Sequence, residues 1–306
     1  MIVETDMIKA QLLLVDGDPV SLGALVHCFR SEPGITFSTA ANPHDAWKML
    51  QDQPRRFDLM ILDCLMPNRG GLDLLLRIGD DRRVAGIPII LQTPLAPTAE
   101  QMREGIAAGA CHYLAMPCQQ DAAISIVHAA LAKSSFGKAL RRQLQVRGNA
   151  PQEMAACEFA IRTLEEAGEL ATLVAQACPS PEAAVFGVSE LLVNGVEHGN
   201  LGLSYEEKSQ LALSNCWKSE VDRRSAHPDS LGKRVRLSFR RESNQVTLRN
   251  ADDGHGFAWQ DYLELDPRRA CDPNGRGIAR SKVLSFSSIH HEGFGNIAVA
   301  TIAPVG

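Results

Sequence analysis

The first 133 residues repeat one pattern: a short apolar run, then an acidic or hydroxyl residue, then a helical segment. Three of these runs are followed by side chains that carry oxygen, namely Asp16, Asp63 and Thr93. Runs this apolar are typical of strands that are buried on both faces. Strands that alternate with helices predict a parallel sheet covered by helices, with its chemistry at the carboxyl ends of the strands.

Turn and cap residues set the boundaries of this pattern. Asn42, followed by a proline, is expected to cap one helix, and Thr98 has capping-box spacing to a glutamine at the start of another. The last strand is expected over residues 111–114 and the last helix over residues 120–133. We therefore predict that residues 1–133 form a doubly wound α/β domain with a five-stranded parallel sheet.

Acidic residues collect at the predicted working edge of this sheet. Asp16, Asp18 and Asp63 all follow the ends of apolar runs. Carboxylates grouped in this way provide the hard oxygen ligands that suit Mg²⁺, and one of them remains available to accept a phosphoryl group. The pattern thus favours phosphoryl chemistry at this edge.

Residues 10–133 resemble a response-regulator receiver domain along their whole length. The likeness covers the acidic loop after the first strand, the phosphoacceptor segment at Asp63 and the two switch positions, Thr93 and Tyr113. It implies a flavodoxin-like fold in which Asp63 accepts a phosphoryl group from an upstream histidine kinase. It also implies that Asp63 and the first acid of the loop, Asp16, hold Mg²⁺.

Two positions depart from the family pattern. Gly17 stands where receivers have a second acid beside Asp16, and Met116 stands where they have a lysine before proline. Transfer to Asp63 needs positive charge around the transferring oxygens, which the metal and that lysine normally supply. We therefore expect Asp63 to accept phosphate slowly or not at all, unless Asp18 replaces the missing metal ligand.

A basic stretch, residues 134–152, is predicted to link this domain to a second domain over residues 153–306. It is interrupted by glycine and proline, although its first part is able to prolong the preceding helix. The second domain is expected to open with helices over residues 154–177 and 181–198.

The second of these helices carries polar residues on an otherwise apolar surface. Glu190, Asn194 and then Glu197 or His198 follow one another at three- or four-residue spacing and so lie on adjoining faces. A buried amide beside a carboxylate is costly unless it binds a ligand. An amide oxygen on Mg²⁺ and a carboxylate that orients a nucleophile would both account for the pair.

Two further blocks, both rich in glycine, follow this helix, which forms the first block. The second block supplies an acid suited to an adenine amino group and a turn through which backbone approaches a nucleotide. The third block opens a helix whose free N–H groups suit phosphates, with an arginine for a charge-assisted contact. The residues are Asp252, Gly254 and Gly256 in the second block, and Gly275, Arg276 and Gly277 in the third.

The three blocks, over residues 153–306, resemble the ATPase domain shared by histidine kinases, DNA gyrase B subunits and anti-sigma-factor serine kinases. The likeness is greatest to the anti-sigma-factor kinases, because Glu190 lies four residues before Asn194 and the sequence has no histidine-bearing dimerisation domain. It implies an α/β sandwich that binds Mg-ATP through Asn194, Asp252 and the glycine turns, with Asn194 on the metal and Glu190 as general base. His198 is assigned to the same ATP-binding set.

Composition and charge indicate which partners and which cellular compartment are expected for this protein. The net charge is −5 and the sequence has no basic stripe, which argues against nucleic acid as a partner. The apolar runs are strand-sized and too short to cross a bilayer, so no membrane segment is expected. Eight cysteines are scattered without a Cys-x-x-Cys pair, as is typical of reduced thiols in a cytoplasmic protein.

These features predict a two-component signalling protein whose receiver controls an ATP-binding output domain. We expect that domain to phosphorylate a serine or threonine of a partner, or to sequester it; by analogy the partner is an anti-sigma-factor antagonist or a sigma factor. A homodimer is expected. Two alternatives stay open: a non-catalytic binding module whose surface depends on nucleotide, and a histidine kinase variant that acts in trans.

Overall fold

The computed structural model describes residues 9–93, 97–146, 154–214, 216–243, 245–269, 272 and 274–304. These residues divide into two compact units, of which the first comprises those up to Ser134 and those between Asp266 and Pro273, and the second comprises the rest. No helix within these ranges is long and apolar enough to span a membrane.

The first unit alternates five strands with five helices. The strands are β1 (Ala10–Val15), β2 (Ile35–Ala40), β3 (Leu59–Asp63), β4 (Ile89–Thr93) and β5 (Ala110–Ala115), and the helices are α1 (Pro19–Phe29), α2 (Pro43–Asp52), α3 (Gly70–Asp80), α4 (Ala99–Ala107) and α5 (Gln120–Val146). The strands form a parallel sheet in the order β2-β1-β3-β4-β5. This is the strand order of a flavodoxin-like fold, and it confirms the predicted doubly wound sheet.

Both faces of this sheet are buried, as the continuous apolar runs predict. Leu12 and Leu14 on one face share a core with Phe29 of α1 and Val127 of α5. Leu13, which alternates with them and faces the other side, is also fully buried. The predicted caps are confirmed as well: the side chain of Asn42 caps α2, and a complete capping box starts α4.

Helix α5 continues to Val146, well past its expected end at residue 133. Most of the stretch predicted as a linker is therefore helical, and residues 147–153 lie outside the described part of the chain. The residues of α5 from Ser135 onward belong to the second unit, and Leu140 among them is buried in the core of that unit. The extension is stabilised by that long-range contact, which its sparse apolar edge does not reveal.

The second unit packs helices on one face of an antiparallel sheet. Its elements are β6 (Ala156–Ile161), α6 (Leu164–Gln176), α7 (Pro181–Asn194), α8 (Tyr205–Leu213), α9 (Trp217–Ser225), α10 (Pro228–Leu231), β7 (Val235–Glu242), β8 (Gln245–Ala251), α11 (Gly277–Leu284), β9 (Ser288–Glu292) and β10 (Ile297–Ile302). The strand order is β6-β7-β8-β10-β9. Val188 and Leu192 of α7 share one core with Leu237, Phe239 and Leu248 of the sheet.

The prediction of a helix over residues 154–177 is wrong for the first part of that range. Ala156–Ile161 is a strand that pairs with β7, and the helix α6 begins only at Leu164. Along β6 the exposed Ala156, Glu158 and Ala160 alternate with more buried neighbours. Alanine and glutamate favour helices, but the pairing with a distant strand overrides that preference.

Helix α7 also ends differently from the prediction. It stops at Asn194 and passes into a π-helical turn, Gly195–Asn200, instead of continuing as an α-helix to His198. Such turns are rare and frequently lie at functional sites. This one directly follows Asn194, which the resemblance to the ATPase domain predicts as a ligand of Mg²⁺.

Candidate functional site

The carboxyl edge of the parallel sheet brings the three predicted acids of the first unit together. Burial raises the pKa of Asp63 above its usual value, and the negative charges of Asp16 and Asp18 raise it further. The backbone N–H of Leu65 donates to Asp63 Oδ1 at 2.9 Å and opposes this effect. The negative charges of Asp16 and Asp18 therefore act on Asp63 at this edge of the sheet.

Asp16 is held by groups of the protein itself. Its side chain is buried; the backbone N–H of Asp18 donates to Oδ1 at 2.7 Å, and the amide Nε2 of Gln92 donates to Oδ2 at 2.6 Å. Sequence reasoning missed Gln92, although a polar residue inside a buried apolar strand was a signal for it. Both oxygens of Asp16 are thus engaged before any metal binds.

Asp18 serves the start of α1. Its carboxylate accepts the backbone N–H groups of Val20 at 3.3 Å and Ser21 at 3.2 Å, and these hydrogen bonds lower its pKa. This is the geometry of a helix cap. Because the carboxylate of Asp18 caps this helix, it is less able to replace the acidic residue that is missing at position 17.

Met116 lies beside this edge but brings no charge. It is buried, its backbone N–H donates to the carbonyl of Thr93 at 2.8 Å, and the thiol of Cys118 lies 3.3 Å from its sulfur. A cis peptide bond joins it to Pro117. An apolar side chain therefore occupies the position at which receiver domains have a lysine.

The two predicted switch residues are buried on neighbouring strands. Thr93 ends β4, and Tyr113 lies in the middle of β5. The hydroxyl of Tyr113 donates to the carbonyl of Gln101 in α4 at 3.0 Å. A Cβ on Gly105 would lie 2.1 Å from that hydroxyl, so the ring depends on a glycine in α4 for its position.

In the second unit, the carboxylate of Glu190 lies against the start of α11. A Cβ on Gly277 would come within 2.1 Å of Glu190 Oε2, so a larger residue there would push this carboxylate away. Arg276, the residue before α11, is buried and gives the helix no side-chain cap. The first and third sequence blocks therefore meet at a helix N-terminus, where backbone N–H groups attract anions.

The carboxylate of Asp252 lies against the π-helical turn. A Cβ on Gly199 would lie 2.3 Å from Asp252 Cγ, and a Cβ on Gly254 would lie 2.3 Å from the carbonyl oxygen of Gly199. The backbone N–H of Gly254 donates to Asp252 Oδ1 at 2.9 Å. Burial raises the pKa of Asp252 to about 6. A raised carboxylate pKa in a glycine-lined turn is typical of a functional site.

The glycine turns of the second and third blocks require glycine. Gly256 has φ +76° and a Cβ there would collide with the carbonyl oxygen of Phe294 at 1.9 Å. Gly275 has φ +81° and packs against the ring of Tyr205. Both positions combine a left-handed backbone with a close contact, so a larger residue would displace the turn.

Residues 201–233 form a helical insertion that contains α8, α9 and α10, and one carboxylate connects the π-helical turn to it. Glu197 is fully buried; Trp217 Nε1 donates to it at 2.8 Å, and the ammonium of Lys208 forms an ion pair with it. Sequence reasoning offered Glu197 as an alternative to His198 but missed both partners. In the sequence, these partners were marked by a tryptophan that stands in a polar insertion, together with a lysine of the same insertion.

The insertion also contacts the third block. Asn274 Nδ2 donates to Ser209 Oγ of α8 at 3.1 Å, and Tyr205 of the same helix packs against Gly275. The ring of Tyr262 lies 6.4 Å from that of Tyr205. Helix α8 therefore touches both the π-helical turn and the glycine turn before α11.

His198 and Asn194 differ in their surroundings. The ring Nδ1 of His198 donates to the carbonyl of Leu203 at 2.5 Å, and burial lowers its pKa. Asn194 is half-buried, and its side chain makes no hydrogen bond with any residue that the structure describes. An amide placed in this way is available to a ligand. Within the described ranges, no group of three or more His, Cys, Asp or Glu side chains is arranged to hold a metal ion.

Comparisons with known proteins concern mainly the first unit. Residues 12–128 match the family model of the response regulator receiver domain. Response regulator Rre1 of Synechocystis sp. is 30% identical over 123 residues, which are 40% of this chain and 52% of that protein. The 3',5'-cyclic-nucleotide phosphodiesterase regA of Dictyostelium discoideum is 24% identical over 225 residues, which are 71% of this chain and 28% of that protein.

The chain thus spans about half the length of the first of these relatives and about a quarter of the second. Among solved structures, the receiver domain of a signal transduction histidine kinase from Syntrophus aciditrophicus is 27% identical with a TM-score of 0.36; the match covers 40% of this chain and 91% of that chain. The family match falls on the parallel sheet and its acidic edge. Residues 12–128 therefore form a response-regulator receiver domain.

Proposed function

We propose that the second unit binds Mg-ATP and phosphorylates a serine or threonine of a partner protein, and that the receiver domain controls this output. One observation supports the proposal most, namely the convergence of three blocks that are distant in sequence. The carboxylate of Glu190 lies against Gly277, and that of Asp252 lies against Gly199, one turn beyond Asn194. This grouping provides a carboxylate that would act as the general base, an amide that would bind a cation, and a helix N-terminus that would bind phosphates.

The residues of the site fit such a nucleotide. Asp252 Oδ1 accepts from Gly254, and no described residue donates to its second oxygen, which suits the amino group of adenine. Asn194 would hold Mg²⁺ through its amide oxygen. The backbone at Gly277 and the neighbouring guanidinium of Arg276 would bind phosphates. When bound, ATP supplies the phosphoryl group.

Glu190 is the proposed general base. Its carboxylate lies one helical turn before Asn194 and at the start of α11, where the proposed phosphate site is. There it would take the proton from the hydroxyl of the partner as the new phosphate ester forms. His198, whose Nδ1 is bound to a carbonyl, would contribute its remaining ring nitrogen or its bulk to the pocket.

The partner is proposed by analogy alone, as an anti-sigma-factor antagonist or a sigma factor, with a histidine kinase upstream and a homodimer as the assembly. A non-catalytic nucleotide-dependent module and a histidine kinase variant acting in trans are the competing functions. Incubation of the chain with ATP labelled at the γ-phosphate and a candidate partner separates them. A labelled serine or threonine supports the proposal, a labelled histidine supports the variant, and binding without transfer supports the module.

For the receiver we propose weak phosphorylation at Asp63. Gly17 removes one acid, Asp16 is engaged by Gln92, and Met116 supplies no charge for the transferring oxygens. Mg²⁺ would have to bind through Asp16 and Asp63 in competition with these contacts. Control of the second unit would then depend more on partner contacts than on a conventional phospho-switch.

The first prediction concerns Asp252→Asn. Because the carboxylate has a raised pKa in the folded state, its ionisation costs stability as the pH rises through about 6. The variant should therefore be more stable than the wild type at pH 7.5, by roughly 1 to 2 kcal/mol after allowance for solvent, and equal to it at pH 4. It should at the same time lose measurable ATP affinity in calorimetry.

Asp253→Asn is the matched control for this prediction. The guanidinium of Arg236 lowers the pKa of Asp253, so this variant should lose stability at pH 7.5. Urea unfolding at the two pH values measures both variants. Unchanged ATP affinity in Asp252→Asn would contradict the adenine role even if the stability result held.

The second prediction concerns Glu190→Gln. Removal of a general base should reduce the rate of phosphoryl transfer by about 10²- to 10⁴-fold while ATP affinity changes little. The control is Glu182→Gln, an exposed residue at the start of the same helix, which should leave the rate unchanged. Full-rate transfer by Glu190→Gln would show that the base lies elsewhere.

The third prediction concerns the receiver. With acetyl phosphate and Mg²⁺, intact mass should show little phosphorylation of the wild type, whereas the double variant Gly17→Asp/Met116→Lys should gain about tenfold or more. Space for a side chain exists at Gly17, where a Cβ would lie 3.7 Å from its nearest neighbours. The gain should vanish when Asp63→Asn is added. Rapid, stoichiometric phosphorylation of the wild type would prove the prediction wrong.

A further inference from the structure

A depression lined by four arginines lies at the edge of the receiver sheet opposite its acids. Its volume is about 580 Å³, and its lining residues are Gln53, Pro54, Arg55, Arg56, Arg82 and Arg83. The loops before β3 and β4 provide them, and these strands are parallel neighbours. Their amino ends therefore lie at one edge, away from Asp16 and Asp63. The lining given by the described residues contains no carboxylate.

Two of these arginines are fixed by contacts behind the depression. Arg83 binds Asp81 in a fork, with Nε at 3.1 Å from Oδ1 and Nη2 at 2.6 Å from Oδ2. Arg56 donates to Ser38 Oγ at 3.2 Å, and its guanidinium lies 5.3 Å from the ring centre of Phe57. These contacts orient two guanidinium groups without occupying all of their donors.

The other two arginines have no such anchor. Arg55 and Arg82 are exposed, and neither forms a hydrogen bond or ion pair with any residue in the described ranges. Arg83 is paired with Asp81, so three of the four guanidinium groups, those of Arg55, Arg56 and Arg82, have no ion-pair partner among the described residues. This concentration of positive charge stands out in a chain whose net charge is −5.

We propose that the depression binds a small soluble anion with neighbouring phosphate groups, of the oligophosphate class. Arginine matches phosphate because its planar fork donates two parallel hydrogen bonds. Adjacent phosphates would engage the two fixed arginines and recruit Arg55 and Arg82 from solvent. A volume of about 580 Å³ suits a small molecule. The site is independent of the function proposed for the second unit.

The test is calorimetric titration of the full chain with tripolyphosphate in magnesium-free buffer. Arg55→Gln/Arg82→Gln should weaken binding by about tenfold or more per arginine, because each loses hydrogen bonds to a charged group. The control Arg30→Gln/Lys48→Gln removes the same charge from exposed positions elsewhere on the receiver and should change affinity by less than about twofold. All four changed side chains are exposed, so urea unfolding should show that both variants keep the wild-type fold.

Two results would overturn the proposal. One is equal tripolyphosphate affinity for the wild type and Arg55→Gln/Arg82→Gln, which would place any binding outside the depression. The other is tight, arginine-dependent binding of a polyglutamate peptide with no binding of tripolyphosphate, which would assign the surface to an acidic protein segment.

Discussion

The buried carboxylate of Glu197 connects the parts of the second unit that form the candidate nucleotide site. It lies inside the π-helical turn that follows Asn194, and it binds Trp217 and Lys208 of the insertion. A carboxylate without water costs several kcal/mol unless its oxygens are matched, and the indole N–H and the ammonium provide that match. The turn, and with it the contact between Gly199 and Asp252, therefore depends on the insertion.

The insertion thus has a structural role in the site. Tyr205 packs against Gly275 while Lys208, one turn later on α8, reaches Glu197. A displacement of α8 would move both the glycine turn before α11 and the π-helical turn.

In the receiver, by contrast with Glu197 and Lys208 in the second unit, carboxylates lie together and no basic side chain of the described residues pairs with them. The positive charge that normally balances them is missing, because Met116 is apolar. Gln92 compensates in part by donating to Asp16 with a neutral amide. This hydrogen bond satisfies one oxygen of the buried carboxylate of Asp16.

Local sequence signals predicted the parts of the fold that depend on near neighbours. The strands that end at Asp16 and Asp63, and the caps of α2 and α4, are read from adjacent residues. Strand β6 was missed because it forms only by pairing with β7; Glu158 and Ser238, which bond across this pair, are 80 residues apart.

In the candidate sites, too, the sequence indicated what depends on near neighbours and missed contacts between residues that are distant in the chain. The nucleotide role of the three blocks stays a prediction; the blocks stand out in the sequence because each is a short motif with its own spacing. The contact of Gln92 with Asp16 joins residues 76 positions apart, and the partners of Glu197 lie in an insertion that resembles no motif. Such pairs are decided by tertiary packing, which a single sequence does not display.

We propose that the three blocks of the second unit form one nucleotide site, and hydrogen exchange of the full chain with and without Mg-ATP, followed by mass spectrometry, measures all three blocks at once. If they form one site, ATP slows exchange together in three separate segments, residues 190–200, 252–256 and 275–284, and Asp252→Asn abolishes all three effects. Protection of only one of these segments, or of none, would contradict this proposal.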